Sequence, residues 1–255
     1  QRMVHDISEV SRRSHQALYR FLGVSLFDKP ESYYRNFVSS LTHELKSSYV
    51  AIRSYGALCV SLQNDSDTSH IPTLIRKSDG TSLYASLDLA AVRYRLGGKK
   101  YQKIIYVTDD GQSTHFKQIF SIADAMGWTS SLNASNLQLH HVGHGLIFGA
   151  DGKKLSSRKG ESSLADLLQD AVEHAYVAIR SRNSVGQAAL DEKDLAEAIG
   201  VSAIRFFDLH AGRRSYCLEY QNMLKLKGNT SVYLQYTYAR FLSVYRASDF
   251  QSMAQ

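Results

Sequence analysis

Apolar residues near the start of the chain fall at Val4, Ile7, Val10, Ala17, Leu18, Phe21 and Leu22. Spacings of mostly three and four put them on one stripe, which predicts an amphipathic helix over 4–22, ended by Gly23. A second helix is expected over 33–46, with Pro30 ahead of it and Ser32 as its N-cap. Residues 57–62 and 73–76 then read as short strands. The polar run Asn64-Asp65-Ser66-Asp67-Thr68-Ser69 between them reads as a loop tip, and Ser78-Asp79-Gly80 as a tight turn. Next come a helix over 86–94, the apolar strand 104–108, a helix over 115–126 and a strand over 139–142. Strand, helix, strand at that spacing predicts a βαβ crossover in a parallel sheet, with ligand chemistry at the carboxyl ends of the strands. After a Gly- and Lys-rich loop at 151–160 the chain reads helical over 164–179, 195–207 and the Tyr-rich 232–247. Positions 181–200 are of mixed polar composition and are read only as a connection between helices.

Composition narrows the class. Of 255 residues, 44% are hydrophobic and 21% charged, which excludes a wholly disordered or collagen-like chain. No apolar run approaches the ~20 residues of a membrane-spanning helix, so no membrane contact is expected. Gln1 is not an initiator, and the chain is expected to be a segment of a longer one. The two cysteines, Cys59 and Cys217, make neither a disulfide framework nor a four-cysteine zinc site. A reducing compartment fits: the cytoplasm, or the matrix of a mitochondrion or plastid. A net charge of +6 favours an anionic partner such as nucleic acid.

The segment richest in chemistry is Asp151-Gly152-Lys153-Lys154-Leu155-Ser156-Ser157-Arg158-Lys159-Gly160. Lysines act as point charges, Arg158 offers a two-pronged contact, and the serine hydroxyls can fill remaining phosphate oxygens. Taken alone, such a loop is either a polyphosphate clamp or a solvated basic loop.

Lys154-Leu155-Ser156-Ser157-Arg158 resembles the Lys-Met-Ser-Lys-Ser signature of class I aminoacyl-tRNA synthetases. The run from Lys77 to Ala91 resembles the motif that follows the small β insertion of the arginyl-tRNA synthetase family, and the run from Ile104 to Phe116 resembles that family's next strand and turn. The run from Asn229 to Arg240 resembles the opening of its helical anticodon-binding domain. The motifs stand in the family's order and cover essentially the whole chain.

The resemblance implies an α/β fold: the C-terminal half of a Rossmann-like catalytic domain with parallel strands and a small β insertion, followed by an all-α segment. It implies four stretches: a helical connecting segment over 1–54, catalytic fold with the lysine loop over 55–160, a helical stem-contact region over 161–228, and the start of an anticodon-binding domain over 229–255. It implies arginine–tRNA ligase activity, with arginine, ATP (with Mg²⁺) and tRNA-Arg as substrates. Within it, Tyr84, Asp88, Gln112 and His115 match positions that face arginine. Lys153, Lys154, Ser156, Ser157 and Arg158 match the catalytic loop, and His141, Val142, Gly143 and Lys154 positions near ATP. Ser157 stands at the second lysine of the general signature, and Lys153 is expected to supply some of that charge.

Residue chemistry agrees with these roles and also allows plainer ones. Tyr84 and Asp88, four apart, share one face if a helix begins near Tyr84, and a carboxylate suits a guanidinium. By type alone Asp88 is a helix-surface charge, Tyr84 a core aromatic and Gln112 a turn residue, while His115 is equally a cap or a packed histidine. His141-Val142-Gly143-His144 looks like the His-Ile-Gly-His signature, but it lies ten positions before Lys154, whereas that signature belongs far upstream. His144 is therefore read as packing or adenine-proximal. A zinc site from His140, His141 and His144 lacks a fourth ligand, so no metal site is expected.

The first half of the family's catalytic fold is missing, with its histidine signature, and the anticodon-binding domain stops after about one helix. Either the missing half exists elsewhere in the polypeptide, or this is a non-catalytic synthetase-like scaffold or RNA-associated subunit of a larger ribonucleoprotein assembly. If 255 residues were the mature length, no arginine-dependent ATP–pyrophosphate exchange is expected from this chain alone.

Overall fold

The computed structural model of the protein describes residues 2–62, 72–98, 101–130, 137–149, 151–155, 163–182 and 192–248. It divides into two compact units, one formed by Gln1–Leu26 with Gly145–Gln255 and the other by Phe27–His144. The four stretches expected from the sequence are consecutive along the chain, whereas these units are defined by packing.

The chain opens on α1 (Arg2–Phe21), in the first unit. Gly23, at φ +64°, ends it as expected, in a left-handed conformation that costs glycine nothing. Its C-terminal end finds apolar partners, through Leu18, Phe21 and Leu22. Met3, Ile7 and Val10 on the same stripe are exposed.

In the Phe27–His144 unit the helix expected over 33–46 is two helices, α2 (Glu31–Arg35) and α3 (Val38–Ser47). The first starts earlier than expected, with Pro30 and not Ser32 at the N-cap, because the fixed φ of proline (−67° here) leads directly into a helical turn. The small β insertion is an antiparallel sheet of β1 (Ala51–Ser54), β2 (Ala57–Val60) and β3 (Thr73–Arg76). Tyr55 and Gly56, both at positive φ, close the β1–β2 hairpin as a two-residue turn matched to strand twist. The next helix, α4 (Tyr84–Gly98), starts at Tyr84, two residues before the expected 86. Ala85, Ser86, Leu89, Ala90, Ala91 and Val92 are all buried, because α4 is packed on several sides. Its core neighbours are Leu41 and Leu45 of α3, Leu58, Val60 and Ile75 of the insertion, and Ile119 and Ile122 further on. Glu44 ties this core at its edge, accepting from Arg93 Nε at 3.0 Å and from Trp128 Nε1 at 3.0 Å.

The predicted crossover follows as β4 (Lys103–Asp109), a 3₁₀ turn (Asp110–Gln112), α5 (Ser113–Ala125) and β5 (Gln138–His144). The two strands are parallel, in register from Lys103↔Gln138 to Asp109↔His144. On one face Tyr106 and His141 meet the ring of Phe116 from α5. On the other, Ile105, Val107 and Val142 stay about half exposed.

The first unit continues with β6 (Ile147–Phe148), α6 (Leu164–Arg182), α7 (Glu192–Ala211), β7 (Tyr216–Cys217), α8 (Tyr220–Met223) and α9 (Ser231–Ala247). Small buried residues, Ala171, Ala175, Ala196 and Ala203, let α6 and α7 pack closely, with Leu168, Ile204 and Met223 filling the rest of the core. The tyrosines of α9 lie outside the core. Val232 is buried, but Tyr233, Tyr236, Tyr238 and Tyr245 are exposed, because the helix packs through its first turn. That turn is fixed by Thr230, whose buried hydroxyl accepts from the Tyr233 N–H at 3.1 Å and donates to the Lys225 carbonyl at 2.6 Å. Thr230→Ala removes both bonds and is expected to cost about 1–2 kcal/mol, read as a lower urea midpoint at unchanged slope.

No helix among the described residues is long and apolar enough to cross a membrane. The cysteines are free, Cys59 buried and Cys217 exposed.

Candidate active site

Three of the residues singled out by sequence converge where α4 and α5 begin. Tyr84 opens α4, Asp88 lies one turn on, and His115 stands in the first turn of α5. The His115 Nε2 is 2.7 Å from Asp88 Oδ2, and the Tyr84 ring centroid is 5.3 Å from that of His115. The side chains of Asp88 and His115 are 32% and 20% exposed, so the pair is shielded but reachable. Both plain readings need correcting: Asp88 is no free surface charge, and Tyr84, 62% exposed, is no core aromatic. Asp88 Oδ1 carries no hydrogen bond among the described residues. A carboxylate oxygen beside an exposed phenol ring suits a planar cation, through a charge-assisted bond and a ring face.

Gln112 is the N-cap of α5, exposed, with no capping bond from its side chain, three residues before His115. The turn that presents it is built by Asp109, whose Oδ1 accepts from the Gly111 N–H at 2.7 Å. It sits at the carboxyl end of β4, where a parallel sheet offers its ligand edge.

His141 stacks on Phe116, centroids 5.1 Å apart and planes 12° from parallel, and its Nε2 lies 2.9 Å from Thr108 Oγ1. The ring thus bridges β5 to β4 and α5, and Phe116 in turn meets His115 edge-on at 5.2 Å. Val142 is exposed on the opposite face. Gly143 is buried against Asp110: a Cβ there would lie 2.2 Å from Asp110 Oδ1 and 2.8 Å from its Cα. Sequence reasoning missed Asp110. A glycine in the last turn of a strand was the available signal, since it marks a close backbone approach.

The lysine loop belongs to the other unit and begins as a hairpin. Lys154 bridges Phe148, Gly149 N–H donates to the Lys153 carbonyl at 2.9 Å, and Leu155 N–H donates to that of Ile147 at 3.0 Å. At its tip Asp151 Oδ1 accepts from the Lys153 N–H at 3.0 Å, and Oδ2 lies 3.3 Å from Lys153 Nζ. That N–H, with the ammonium, holds the Asp151 carboxyl below the usual carboxylate range. A lowered pKa means the tip is held fully above the ordinary carboxylate pKa and released as pH falls through the lowered one. The Lys153 amide resonance is accordingly expected to be constant near neutral pH and to move only in that acidic window. Ser156, Ser157 and Arg158 lie outside the described residues.

His140 and His144 alternate with His141 along β5, so the three do not converge on one face. Among the described residues no group of His, Cys, Asp or Glu is arranged to hold a metal ion. Within the hairpin, Lys153 and Lys154 are cations of the kind that suits phosphate oxygens.

Known proteins resemble this chain in sequence and in shape. The family described as tRNA synthetases class I (R), catalytic domain, matches residues 1–220. The chain is 37% identical over 250 residues to an arginine–tRNA ligase of Nostoc punctiforme, covering 95% of this chain and 42% of that protein. It is 38% identical over 250 residues to one from Thermosynechococcus vestitus, again covering 42% of the relative. It therefore spans about two fifths of the curated relatives it matches. Among solved structures, arginyl-tRNA synthetase from Plasmodium falciparum superposes with a TM-score of 0.82 at 32% identity, over 96% of this chain and 40% of that one. The Thermus thermophilus enzyme gives 0.72 at 19% identity, over 91% and 44%, a likeness of fold alone. With a match that runs from its first residue through most of its length, this α/β chain belongs to the arginyl class I tRNA synthetase catalytic-domain family.

Proposed function

We propose that this chain is the arginine-reading and phosphate-handling portion of an arginine–tRNA ligase. The observation that carries the reading is the joined trio Tyr84, Asp88 and His115, one helical turn from Gln112, at the ligand edge of the parallel strands. Asp88 Oδ1 would take the guanidinium, the Tyr84 ring would cover it, and His115 would hold the carboxylate in place through Oδ2. Gln112 would contact the amino-acid portion. Backbone atoms of His141, Val142 and Gly143 would approach the adenine, while Lys153, Lys154, Ser156, Ser157 and Arg158 would close on the phosphates. The arginine carboxylate would attack the α-phosphorus of ATP with loss of pyrophosphate, and the terminal ribose hydroxyl of tRNA-Arg would then displace AMP. The protein's share is positioning and charge stabilisation, with no covalent step of its own. Cytoplasm and organelle matrix both suit this reading.

Arginine-dependent ATP–pyrophosphate exchange by the native polypeptide tests it. Exchange with arginine, and none with lysine or citrulline, is expected. Lys153→Ala should slow adenylate formation by about 3- to 10-fold, because Asp151 already shares that charge; an unchanged rate would exclude a phosphate role for Lys153. A second reading, a non-catalytic RNA-associated subunit of a larger assembly, draws on the exposed tyrosines of α9. RNA binding without exchange would favour it.

A further inference from the structure

A concave site lies within the Phe27–His144 unit, on the face of α3 that meets the end of β3. It is a cavity of about 430 Å³, inside the ~300–1,000 Å³ range of small-molecule sites. Arg35, His43 and Lys46 line it from the helices, and Arg76 from the strand. Positions 39, 42, 43 and 46 share one helical face, so the hydroxyls of Ser39 and Thr42 stand among these groups. Among the described residues no acidic side chain lines the cavity. Glu44, the acid within the same turn, points elsewhere and is taken by Arg93 and Trp128. Asp79, in the turn beside the cavity, accepts from the Thr81 N–H at 2.8 Å. Glu31 lies 3.7 Å from Arg35, an exposed pair worth little. Neither Lys46 nor Arg76 has an ion-pair partner among the described residues.

Three permanent cations line one hollow, and of these only Arg35 has an ion-pair partner among the described residues, so their mutual repulsion is relieved when an anion enters. The donor types fit one ligand class: Arg76 and Arg35 offer planar forks, Lys46 a point charge, and the Thr42 and Ser39 hydroxyls single bonds. Thr42 Oγ1 already donates to the Val38 carbonyl at 2.7 Å, so the hydroxyl proton needed is that of Ser39. Carboxylate ligands are served by a single fork. A cluster of cations with a hydroxyl matches the multiple negative oxygens of phosphate.

We infer that the cavity formed by Lys46, Arg76, Arg35 and Ser39 is a phosphate-binding site separate from the Tyr84–Asp88–His115 site. The phosphate is either one of a nucleic-acid backbone or a free phosphate ion. The inference does not rest on catalysis, and it survives if no exchange activity is found.

The test uses the intact chain with two probes, inorganic phosphate followed through amide spectra, and a 12-base-pair RNA duplex of arbitrary sequence followed by fluorescence anisotropy. Lys46→Glu, on a half-exposed helix position, and Arg76→Gln, which keeps a strand-compatible polar stem, are compared with Lys103→Glu, a control at the far end of β4 that changes the charge by as much as Lys46→Glu and by more than Arg76→Gln. Amide spectra establish that each variant is folded. If the site holds a nucleic-acid phosphate, both cavity variants weaken RNA binding about tenfold and lower the salt dependence by about one counterion each, while Lys103→Glu changes it less than about twofold. If it holds free phosphate, the ion shifts amides of 39–46 and 76–82 in the parent and not in the variants, and RNA affinity is equal throughout. Equal RNA affinity with no phosphate shift at those amides overturns the inference, and so does an equal loss in the Lys103→Glu control.

Discussion

Asp88→Asn is expected to lower kcat/KM for arginine by about 10- to 30-fold in pyrophosphate exchange by the native polypeptide, nearly all of it in KM. The substitution keeps the shape and the hydrogen bond to His115 but removes the charge. A hydrogen bond between charged groups contributes about 1.5–3 kcal/mol, and each 1.4 kcal/mol is about tenfold. Asp88 is one-third exposed, so the upper end of that range is out of reach. The guanidinium lies at the end of the substrate away from the reacting carboxylate and is held alike in ground and transition states. Its loss therefore appears as weaker binding with kcat little altered. Stability should hardly change. Unchanged KM would mean that arginine is read elsewhere.

Gly143→Ala is expected to cost more stability than Thr230→Ala. The added methyl would lie 2.8 Å from the Asp110 Cα as well as 2.2 Å from its carboxylate oxygen. A side chain can swing away, but backbone cannot without moving β5 or unwinding the 3₁₀ turn. Overpacking of this kind costs about 1–3 kcal/mol, or roughly 3–10 °C in melting temperature. The same shift displaces Gln112, which that turn presents, so KM for arginine should rise with the melting loss. Asp110→Gly in the same chain removes the oxygen but leaves the Cα, and should restore stability only in part. Full stability in Gly143→Ala alone would show that the turn yields freely.

How far the sequence reveals this can be judged element by element. The crossover is legible because the apolar run at 104–107 and the helical spacing of Phe116, Ile119 and Ile122 leave few alternatives. Tyr84 and Asp88 are legible as a same-face pair, since spacing four guarantees it. Their meeting with His115 is not, because it depends on how α4 packs on α5 across 27 residues of chain. The strand Ala51–Ser54 escapes because half of it, Arg53 and Ser54, is polar and its turn begins with Tyr55, an unusual residue at positive φ. β6 and β7, two residues each, are too short for any periodicity. The exposure of Ile105, Val107 and Val142 also runs against pattern, since parallel strands usually bury both faces. The phosphate cavity is drawn from positions 35 to 82 and has no local signature at all.

The lysine loop shows the opposite case. Its residue types declare phosphate chemistry, while its geometry, a hairpin bracing Lys153 through Asp151, needs the backbone to be seen. The loop's charge and the carboxylate of Asp88 reside in separate compact units, so arginine reading can be tested apart from phosphate handling.

Titrating the 255-residue chain with arginine, and in parallel with its uncharged isostere citrulline, addresses the guanidinium pocket directly. Amide and histidine side-chain resonances of residues 84–88 and 112–115 should shift with arginine, stay still with citrulline, and lose the response in Asp88→Asn. Equal shifts with both ligands, or arginine shifts confined to other parts of the chain, would contradict the assignment of Asp88 as the group that reads the guanidinium.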